Sequence, residues 1–343
     1  MYFFKKSDSK ESALKQILRS ARRVALAIVI LILIGWIAIA QPSLPFKNNT
    51  SEQTVSAELP DRLKAHVRTL SETFTPRSFR HTKNLEAAAT YIAEHFESAG
   101  GEVSSQYFEV SGKRYRNIRA RFGPAGDSLL IVGAHYDAYN NSPGADDNAS
   151  GVAGLIELAY LLGQTEPAGE VELVAYALEE PPFFGTKHMG SYHHANHISD
   201  HSLDVAGVII LEMIGYFSDE PGSQDYPARL FKLFYPNTGN FIGIVGKLQQ
   251  RPFTKTVKRA MQRGSALPAF SVNAPTNVPG IDFSDHRNYW DFGYNAVMIT
   301  DTAFYRNKAY HTEDDTWSRL DYIRMTQVVQ GVYHAILSIL ESP

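Results

Sequence analysis

The feature that most constrains this fold is an alternation of short apolar runs with a helical pattern, which begins near residue 128. The four runs are "LLIVGA" (129–134), "VELVAYAL" (171–178), "VAGVIIL" (205–211) and "NAVMIT" (295–300). Between the first two lies "GVAGLIELAYLL" (151–162), whose apolar residues recur at helical spacing. Strands that are apolar on both faces and alternate with helices indicate a largely parallel sheet covered on both sides.

The flanking segments complete a single α/β domain. They predict amphipathic helices over 60–74 and 84–101, alternating strands over 103–110 and 115–122, and a closing helix over 322–340. We expect the closing helix to bury a face formed by Ile323, Val328, Val332 and Ile336. The prediction is one domain over residues 59–343, with a central mixed, largely parallel β-sheet flanked by helices.

The first 40 residues differ in composition from the rest. Residues 1–23 hold seven Lys/Arg and two Asp/Glu, whereas residues 24–40, "VALAIVILILIGWIAIA", contain no charge. This pattern predicts a transmembrane anchor with a basic cytoplasmic N-terminus. A cleaved signal peptide stays open as the alternative, because "AIAQ" (38–41) offers an A-x-A cleavage site. Either way we expect the domain outside the cytoplasm, periplasmic or extracellular, after a Pro/Ser/Asn-rich linker over residues 41–58.

Charge and composition limit the partners and the metal sites that the chain can have. The chain carries a net charge of −3 and residues 1–23 carry +5, so the remainder carries −8. Nucleic acid is therefore not an expected partner. The chain has no cysteine, which excludes disulfides and thiolate metal sites. Any metal must bind His, Asp or Glu.

Ionisable residues follow each of the four apolar runs. His135, the pair Glu179 and Glu180, and Glu212 come after three of them, and His311 follows the fourth in "YHTEDDT". In a wound α/β sheet, ligands gather outside the carboxyl ends of the strands. Carboxylates that converge there repel one another unless cations compensate. Imidazoles with carboxylates suit Zn²⁺ first and Mn²⁺ or Co²⁺ next, and so many ligands predict two metal ions.

Five segments in order resemble the M28 family of metallopeptidases: "GAHYDA", "GADDNASGVAGLIELA", "ALEEPPFFGTKHMGS", "ILEMIGY" and "YHTEDDT". The resemblance covers about residues 60–343 and implies a zinc exopeptidase-like fold and a dizinc aminopeptidase that acts on peptides. By motif position, it implies that His135 and Glu212 bind one metal ion and that Glu180 and His311 bind the other. Asp147 would bridge the two ions. The family most often has Asp at the position of Glu212, whose longer side chain can still reach a metal.

The same resemblance implies functions for residues around these ligands. Glu179 would be the general base that takes a proton from a metal-bridged water. Asp137 would orient His135 through its free ring nitrogen. Independently of the resemblance, we expect Tyr310, which is adjacent to His311, to donate a hydrogen bond to the oxyanion. We also expect Asp285 or His286, in "FSDHRNYW", behind the ligands or against the substrate.

Other residues near these motifs have plainer interpretations. Asp146 is expected to be a solvated loop residue. The five histidines of "KHMGSYHHANHISDH" (187–201) are expected on the surface or in helix packing. Residues 217–280 lie between two motifs and are expected to wall the substrate pocket, but their mixed chemistry predicts no particular specificity.

Two other functions stay open. A glutaminyl cyclase shares this fold but works with one zinc ion and transfers no water. A non-catalytic ectodomain would keep the fold for binding alone. The complete set of five ligands favours the hydrolase over both.

Overall fold

The computed structural model describes residues 5–42, 56–126 and 128–341. Its helices are α1 Lys5–Ala40, α2 Leu59–Arg68, α3 Thr82–Ser98, α4 Gly151–Gln164, α5 Gly190–Asp200, α6 Arg251–Gly264, α7 His286–Asp291 and α8 Tyr322–Leu340. Its strands are β1 Glu102–Val110, β2 Lys113–Phe122, β3 Leu129–His135, β4 Val171–Tyr176, β5 Val205–Glu212, β6 Ile242–Lys247, β7 Ala269–Ala274 and β8 Ala296–Thr300. Most of the predicted linker, residues 43–55, lies outside the described residues.

The eight strands form one mixed sheet in the order β1-β2-β4-β3-β5-β8-β6-β7. The central strands β4, β3, β5 and β8 are parallel to one another. The pairs β1/β2, β2/β4 and β6/β8 are antiparallel. The mixed sheet flanked by helices confirms the predicted fold class. Because the four central strands are parallel, their carboxyl ends share one edge of the sheet.

Alternating side chains of the central strands enter two separate cores. In β3, Leu130 and Val132 pack with α3, α4 and α8 on one face of the sheet. Ile131 lies on the other face and packs with residues of α5 and α7. All three side chains are fully buried. Both faces of β3 are therefore covered, which explains why the strand reads as a continuous apolar run.

Two expectations about the helices need correction. Ile323 is 68% exposed, whereas Val328, Val332 and Ile336 are buried. Five residues separate Ile323 from Val328, which places the two on different sides of a helix with 3.6 residues per turn. The helix expected over 60–74 ends in α-form at Arg68 and continues as a π-helical turn over Thr69–Thr73. No apolar or helical pattern within residues 217–280 predicted strands β6 and β7 or helix α6.

Helix α1 contains an apolar stretch, Leu14–Ala40, that is long enough to cross a membrane. Its length and composition fit either a membrane anchor or a signal sequence. The side chains from Leu14 to Ile34 are exposed, and burial begins at Gly35. The last turn of α1 contacts β7 at the edge of the sheet.

A buried carboxylate of β4 is expected to control stability in acid. Glu172 is fully buried and accepts hydrogen bonds from Arg119, Arg121 and His194. Burial alone would raise the pKa of this carboxyl, but the hydrogen bond from His194 and the charges of Arg119 and Arg121 outweigh burial and lower the pKa below its ordinary value. The carboxylate therefore contributes stability above about pH 4.5, and that contribution is lost as the pH falls further.

We expect Glu172→Gln to cost about 3–5 kcal/mol of unfolding free energy at pH 7, because it removes one partner of a buried ion pair. The variant should also lose less stability than the wild type when the pH falls from 5 to 3. Urea unfolding at both pH values measures this. The exposed Glu97→Gln is the control and should change stability by less than about 0.5 kcal/mol. Equal acid sensitivity of Glu172→Gln and the wild type would contradict the prediction.

Candidate metal centre

The predicted ligands meet at the carboxyl edge of the parallel strands. His135 is the last residue of β3 and Glu212 is the last residue of β5. Glu180 lies in the loop after β4, and Asp147 lies in the loop between β3 and α4. His311 follows β8. Residues from five distant segments thus converge because the parallel strands end together.

These five residues form two groups that share Asp147. In the first group, the His135 Nε2 atom lies 3.3 Å from Asp147 Oδ1 and 3.2 Å from Glu212 Oε2. In the second, the His311 Nε2 atom lies 3.2 Å from Asp147 Oδ2 and 3.1 Å from Glu180 Oε2. Within each group the potential ligand atoms lie within 4.8 Å of one another. Asp147 thus presents one carboxylate oxygen to each group.

The donor set fits a divalent cation in each group. Four atoms are buried without a hydrogen-bond partner: His135 Nε2, Asp147 Oδ2, Glu180 Oε1 and His311 Nε2. Leaving a buried polar atom unpaired costs about 1–3 kcal/mol. Burial and the neighbouring charge of Asp147 raise the pKa of Glu180 to about 8. Burial also raises the pKa of Glu212. A cation bound by imidazole and carboxylate would relieve both the unpaired atoms and the repulsion.

Asp137 links the ends of β3 and β4. Its carboxylate accepts the backbone N–H of Glu179 and that of Glu180, each at 3.1 Å. Its Oδ1 atom lies 3.5 Å from His135 Nδ1, on the side of the ring away from the ligand group. The backbone oxygen of Asp137 is 3.2 Å from the same nitrogen. Asp137 therefore lies beside the ring nitrogen of His135 that does not face the ligand group.

Glu179 lies beside the first ligand group without belonging to it. Its Oε2 atom is 3.9 Å from His135 Nε2, and its side chain is buried. Burial raises the pKa of Glu179 well above its ordinary value. Asp285 is buried nearby: it accepts a hydrogen bond from Ser191 at 2.5 Å, and its second oxygen has no partner. Burial raises the pKa of Asp285 to about 7.

The ring of His311 is held between two tyrosines. Its centroid lies 4.1 Å from that of Tyr139 and 3.8 Å from that of Tyr310, with both rings nearly parallel to it. Burial raises the pKa of the Tyr310 phenol, so the hydroxyl stays protonated and can donate a hydrogen bond. Tyr310 could be identified from its position next to His311, whereas no motif indicated Tyr139.

The loop that carries Asp147 is fixed by two residues that sequence reasoning missed. The Asp315 carboxylate accepts the backbone N–H groups of Asp146 and Asp147 at 3.0 and 3.1 Å. Arg77 is fully buried and donates hydrogen bonds to the carbonyls of Leu70, Tyr136, Pro143 and Gly144. Asp315 stands in the motif "YHTEDDT" and offered a signal there. No motif indicated Arg77, because three of its four partners lie 59 or more residues away in sequence.

Two further residues change the expected picture of the site. Asp146 is fully buried, so the expectation of a solvated loop residue is wrong. Its carboxylate accepts hydrogen bonds from the Gly215 N–H and the Asn307 side chain. It therefore satisfies buried donors of two other loops around the site. Ser284, the residue before Asp285 in "FSDHRNYW", donates a hydrogen bond to Glu212 Oε2 at 2.7 Å. None of the five histidines in residues 187–201 belongs to either ligand group.

A large apolar pocket opens beside Glu212. It encloses about 870 Å³, including its open mouth. Its apolar lining includes Phe231, Tyr235, Phe241, Phe270, Val272, Ile281, Phe283, Met298, Phe304 and Tyr310. Many of these residues come from 217–280, the segment that was expected to wall a pocket.

The sequence profile of peptidase family M28 matches residues 117–336, which is more than half of the chain. The chain belongs to peptidase family M28. It is 50% identical over 281 residues to the uncharacterized protein YfbL of Escherichia coli strain K12, an alignment that covers 80% of this chain and 86% of that protein. M28 membership makes the chain a peptidase of the hydrolase class with peptide substrates, and it implies a zinc-dependent enzyme.

Solved structures share the fold of this M28 chain. A zinc aminopeptidase of Bacillus subtilis superposes with a TM-score of 0.65 at 14% identity, covering 81% of this chain and 94% of that one. A glutaminyl cyclase of Bacteroides thetaiotaomicron superposes with a TM-score of 0.61 at 20% identity, covering 81% of this chain and 97% of that one. At identities this low, the superpositions establish the fold alone. It is the predicted zinc exopeptidase-like fold.

Proposed function

We propose that this M28 peptidase is an aminopeptidase with two metal ions, Zn²⁺ in the first instance and Mn²⁺ or Co²⁺ as substitutes. His135 and Glu212 would hold one ion, Glu180 and His311 the other, and Asp147 both. The observation that carries the proposal is that Asp147 directs Oδ1 to His135 and Oδ2 to His311, at 3.3 and 3.2 Å. A single carboxylate shared by two complete ligand groups suits a pair of ions better than one.

The chemistry divides between the ions and the side chains around them. Two divalent ions, when bound, would lower the pKa of the attacking water and polarise the scissile carbonyl. Glu179 accepts the proton of that water and returns it to the leaving amine. Glu179 belongs to neither ligand group and lies 3.9 Å from His135 Nε2, which leaves its carboxylate available for this exchange. Tyr310 donates a hydrogen bond from its hydroxyl to the developing oxyanion.

The substrate would be a peptide with a free N-terminus and an apolar first residue. Glu179 and Asp285, which are not metal ligands, are buried and interact with each other, and such a pair of carboxyl groups attracts a cationic α-amino group. The pocket beside Glu212 is lined by aromatic and aliphatic side chains. Burial of an apolar side chain there would favour Leu, Met or Phe at the N-terminus.

A panel of matched peptides tests this proposal. We expect the zinc-loaded chain to hydrolyse Leu-, Met- and Phe-terminated peptides with a free amino group and to leave their N-acetylated forms intact. Activity should disappear with a chelator and return with Zn²⁺. Equal cleavage of free and acetylated peptides would contradict an aminopeptidase.

Glutaminyl cyclisation is the second candidate, because a cyclase shares the fold. The same panel distinguishes it when a Gln-terminated peptide is included. A cyclase would release ammonia and leave the peptide bonds intact. The aminopeptidase would release a free amino acid.

Filling the apolar pocket should change which peptides are cleaved. Val272 in β7 lines the pocket and is half-buried, so Val272→Phe adds a ring to its wall. We expect kcat/KM for Leu- and Phe-terminated peptides to fall by about 10-fold or more relative to Ala-terminated ones. Val272→Thr keeps the volume and serves as the control. An unchanged preference in Val272→Phe would show that the first residue binds elsewhere.

We also propose that α1 is retained as an anchor, with the peptidase domain outside the cytoplasm. The domain binds the carboxyl end of this helix: Lys258 donates to the carbonyls of Ala40 and Gln41, and Ser271 also donates to Ala40. Asn273 donates to the carbonyl of Ile39. A positive charge at a helix C-terminus is a favourable pairing. A protease-protection assay tests the orientation, and a mature N-terminus at Gln41 would refute retention.

A further inference from the structure

The end of α1 is built into the peptidase domain rather than joined to it by a free linker. Besides the hydrogen bonds to its last carbonyls, the Trp36 ring stacks on Phe234 with centroids 6.1 Å apart and an interplanar angle of 26°. Lys258 and Ser271, which hold the carbonyls, are themselves buried. The helix therefore enters the domain at a fixed place, beside β7 and α6.

The length of the apolar stretch fixes where the membrane surface lies. Residues 24–40 are free of charge, and 17 helical residues span about 26 Å. The hydrocarbon core of a bilayer is about 30 Å thick. No residues are left over as a spacer, so the last turn of α1 must lie at the boundary of the hydrocarbon. Trp36, four residues before the end, then lies about 6 Å inside that boundary.

The protein beside this last turn is the segment Arg229–Tyr235, which we call the rim segment. It begins as a 3₁₀-helix over Arg229–Leu233, in which residues three apart lie on the same side. Leu230 and Leu233 occupy one such side and are 63% and 75% exposed. Phe231 and Tyr235 of the same segment line the apolar pocket. The rim segment therefore has one side in the pocket wall and an apolar side with no partner among the described residues.

We propose that the rim segment lies in the membrane interface, with Leu230 and Leu233 inserted among the lipids. The exposed Arg229 and Lys232 on the same segment would lie at the level of anionic headgroups. The proposal follows from the contact of Phe234 with Trp36, which brings the segment to the depth of the bilayer surface. It rests on the proposed retention of α1. Its consequence is that one wall of the substrate pocket is in contact with the membrane.

Site-directed fluorescence quenching tests this proposal in the full chain. The chain has no cysteine, so Leu233→Cys and Leu230→Cys each give one site for an environment-sensitive fluorophore. The labelled full-length chain is reconstituted into phosphatidylethanolamine/phosphatidylglycerol vesicles that contain lipids with brominated acyl chains. Tyr107→Cys is the control: Tyr107 is 49% exposed on β1, at the opposite edge of the sheet from β7. Seven strand spacings of about 4.8 Å separate those edges.

We expect the probes at positions 230 and 233 to be quenched several-fold more strongly than the probe at 107, with blue-shifted emission. Quenching at both positions as weak as at 107 would overturn the proposal. So would disulfide-linked dimers of Leu233→Cys without quenching, because a second copy would then cover the leucines. The reconstituted chain carries α1 in every case, so these results test the rim segment alone. A mature N-terminus at Gln41 in cells would overturn the retained anchor separately.

Discussion

Replacing Glu179 by Gln is expected to lower kcat by about 10²–10⁴-fold while both metal ions stay bound. The amide keeps the size of the side chain but cannot accept the proton of the attacking water. Glu179 lies 3.9 Å from His135 Nε2 and belongs to neither ligand group, so its loss should not release a metal ion. Peptide hydrolysis and metal content, measured on the same preparation, give the two quantities.

The neighbouring Glu180 supplies the matched comparison. Its Oε2 atom lies 3.1 Å from His311 Nε2, inside the second ligand group. Glu180→Gln should therefore lose affinity for one ion together with activity. If Glu179→Gln kept more than about a tenth of the wild-type kcat with its metal content unchanged, another group would have to accept the proton of the attacking water. Asp285, buried nearby with a free carboxylate oxygen, would be the first to test.

Asp147→Asn is expected to have the largest effect, because it weakens both ligand groups at once. Each carboxylate oxygen of Asp147 faces a different histidine, and an amide offers only one oxygen. Loss of residues that merely support metal ligands typically costs 10–100-fold in metal affinity or activity. Loss of a shared ligand should exceed about 100-fold for at least one ion.

The control for this variant is Asp146→Asn. Asp146 is the preceding residue and equally buried, but it accepts hydrogen bonds from Gly215 and Asn307 instead of facing a histidine. We expect Asp146→Asn to keep both ions, with zinc binding followed by calorimetry. Unchanged binding of two ions in Asp147→Asn would show that Asp147 is not a shared metal ligand.

The central strands could be predicted from the sequence because their environment is uniform. Residues of β3 are buried on both faces, so the strand has no polar side to obscure it. Strands β6 and β7 lie at one edge of the sheet. Their sequences, "IGIVGK" and "AFSVNA", mix apolar residues with Gly, Ser and Asn. Asn273 and Ser271 are polar because they bind the end of α1, a tertiary contact over more than 200 residues. Local pattern carries no information on such a contact.

The same distinction separates the predicted site residues from the missed ones. His135 and Glu212 could be named because each ends an apolar strand, and parallel strands end together. Arg77 acts only through carbonyls that folding brings to it, so its position in "TPRSFR" looks like an ordinary surface loop. Asp146 was misjudged for the opposite reason. Its Gly- and Asn-rich loop suggests solvent, but the loop is folded into the protein and needs a buried acceptor.

The number of metal ions bound per chain tests the proposed centre most directly. The metal-free chain would be titrated with Zn²⁺ by calorimetry, and hydrolysis of a Leu-terminated peptide would be followed at each step. Two ions per chain are expected, with full activity only when both groups, joined by Asp147, are filled. Saturation at one ion per chain, with activity already complete, would contradict a two-metal peptidase.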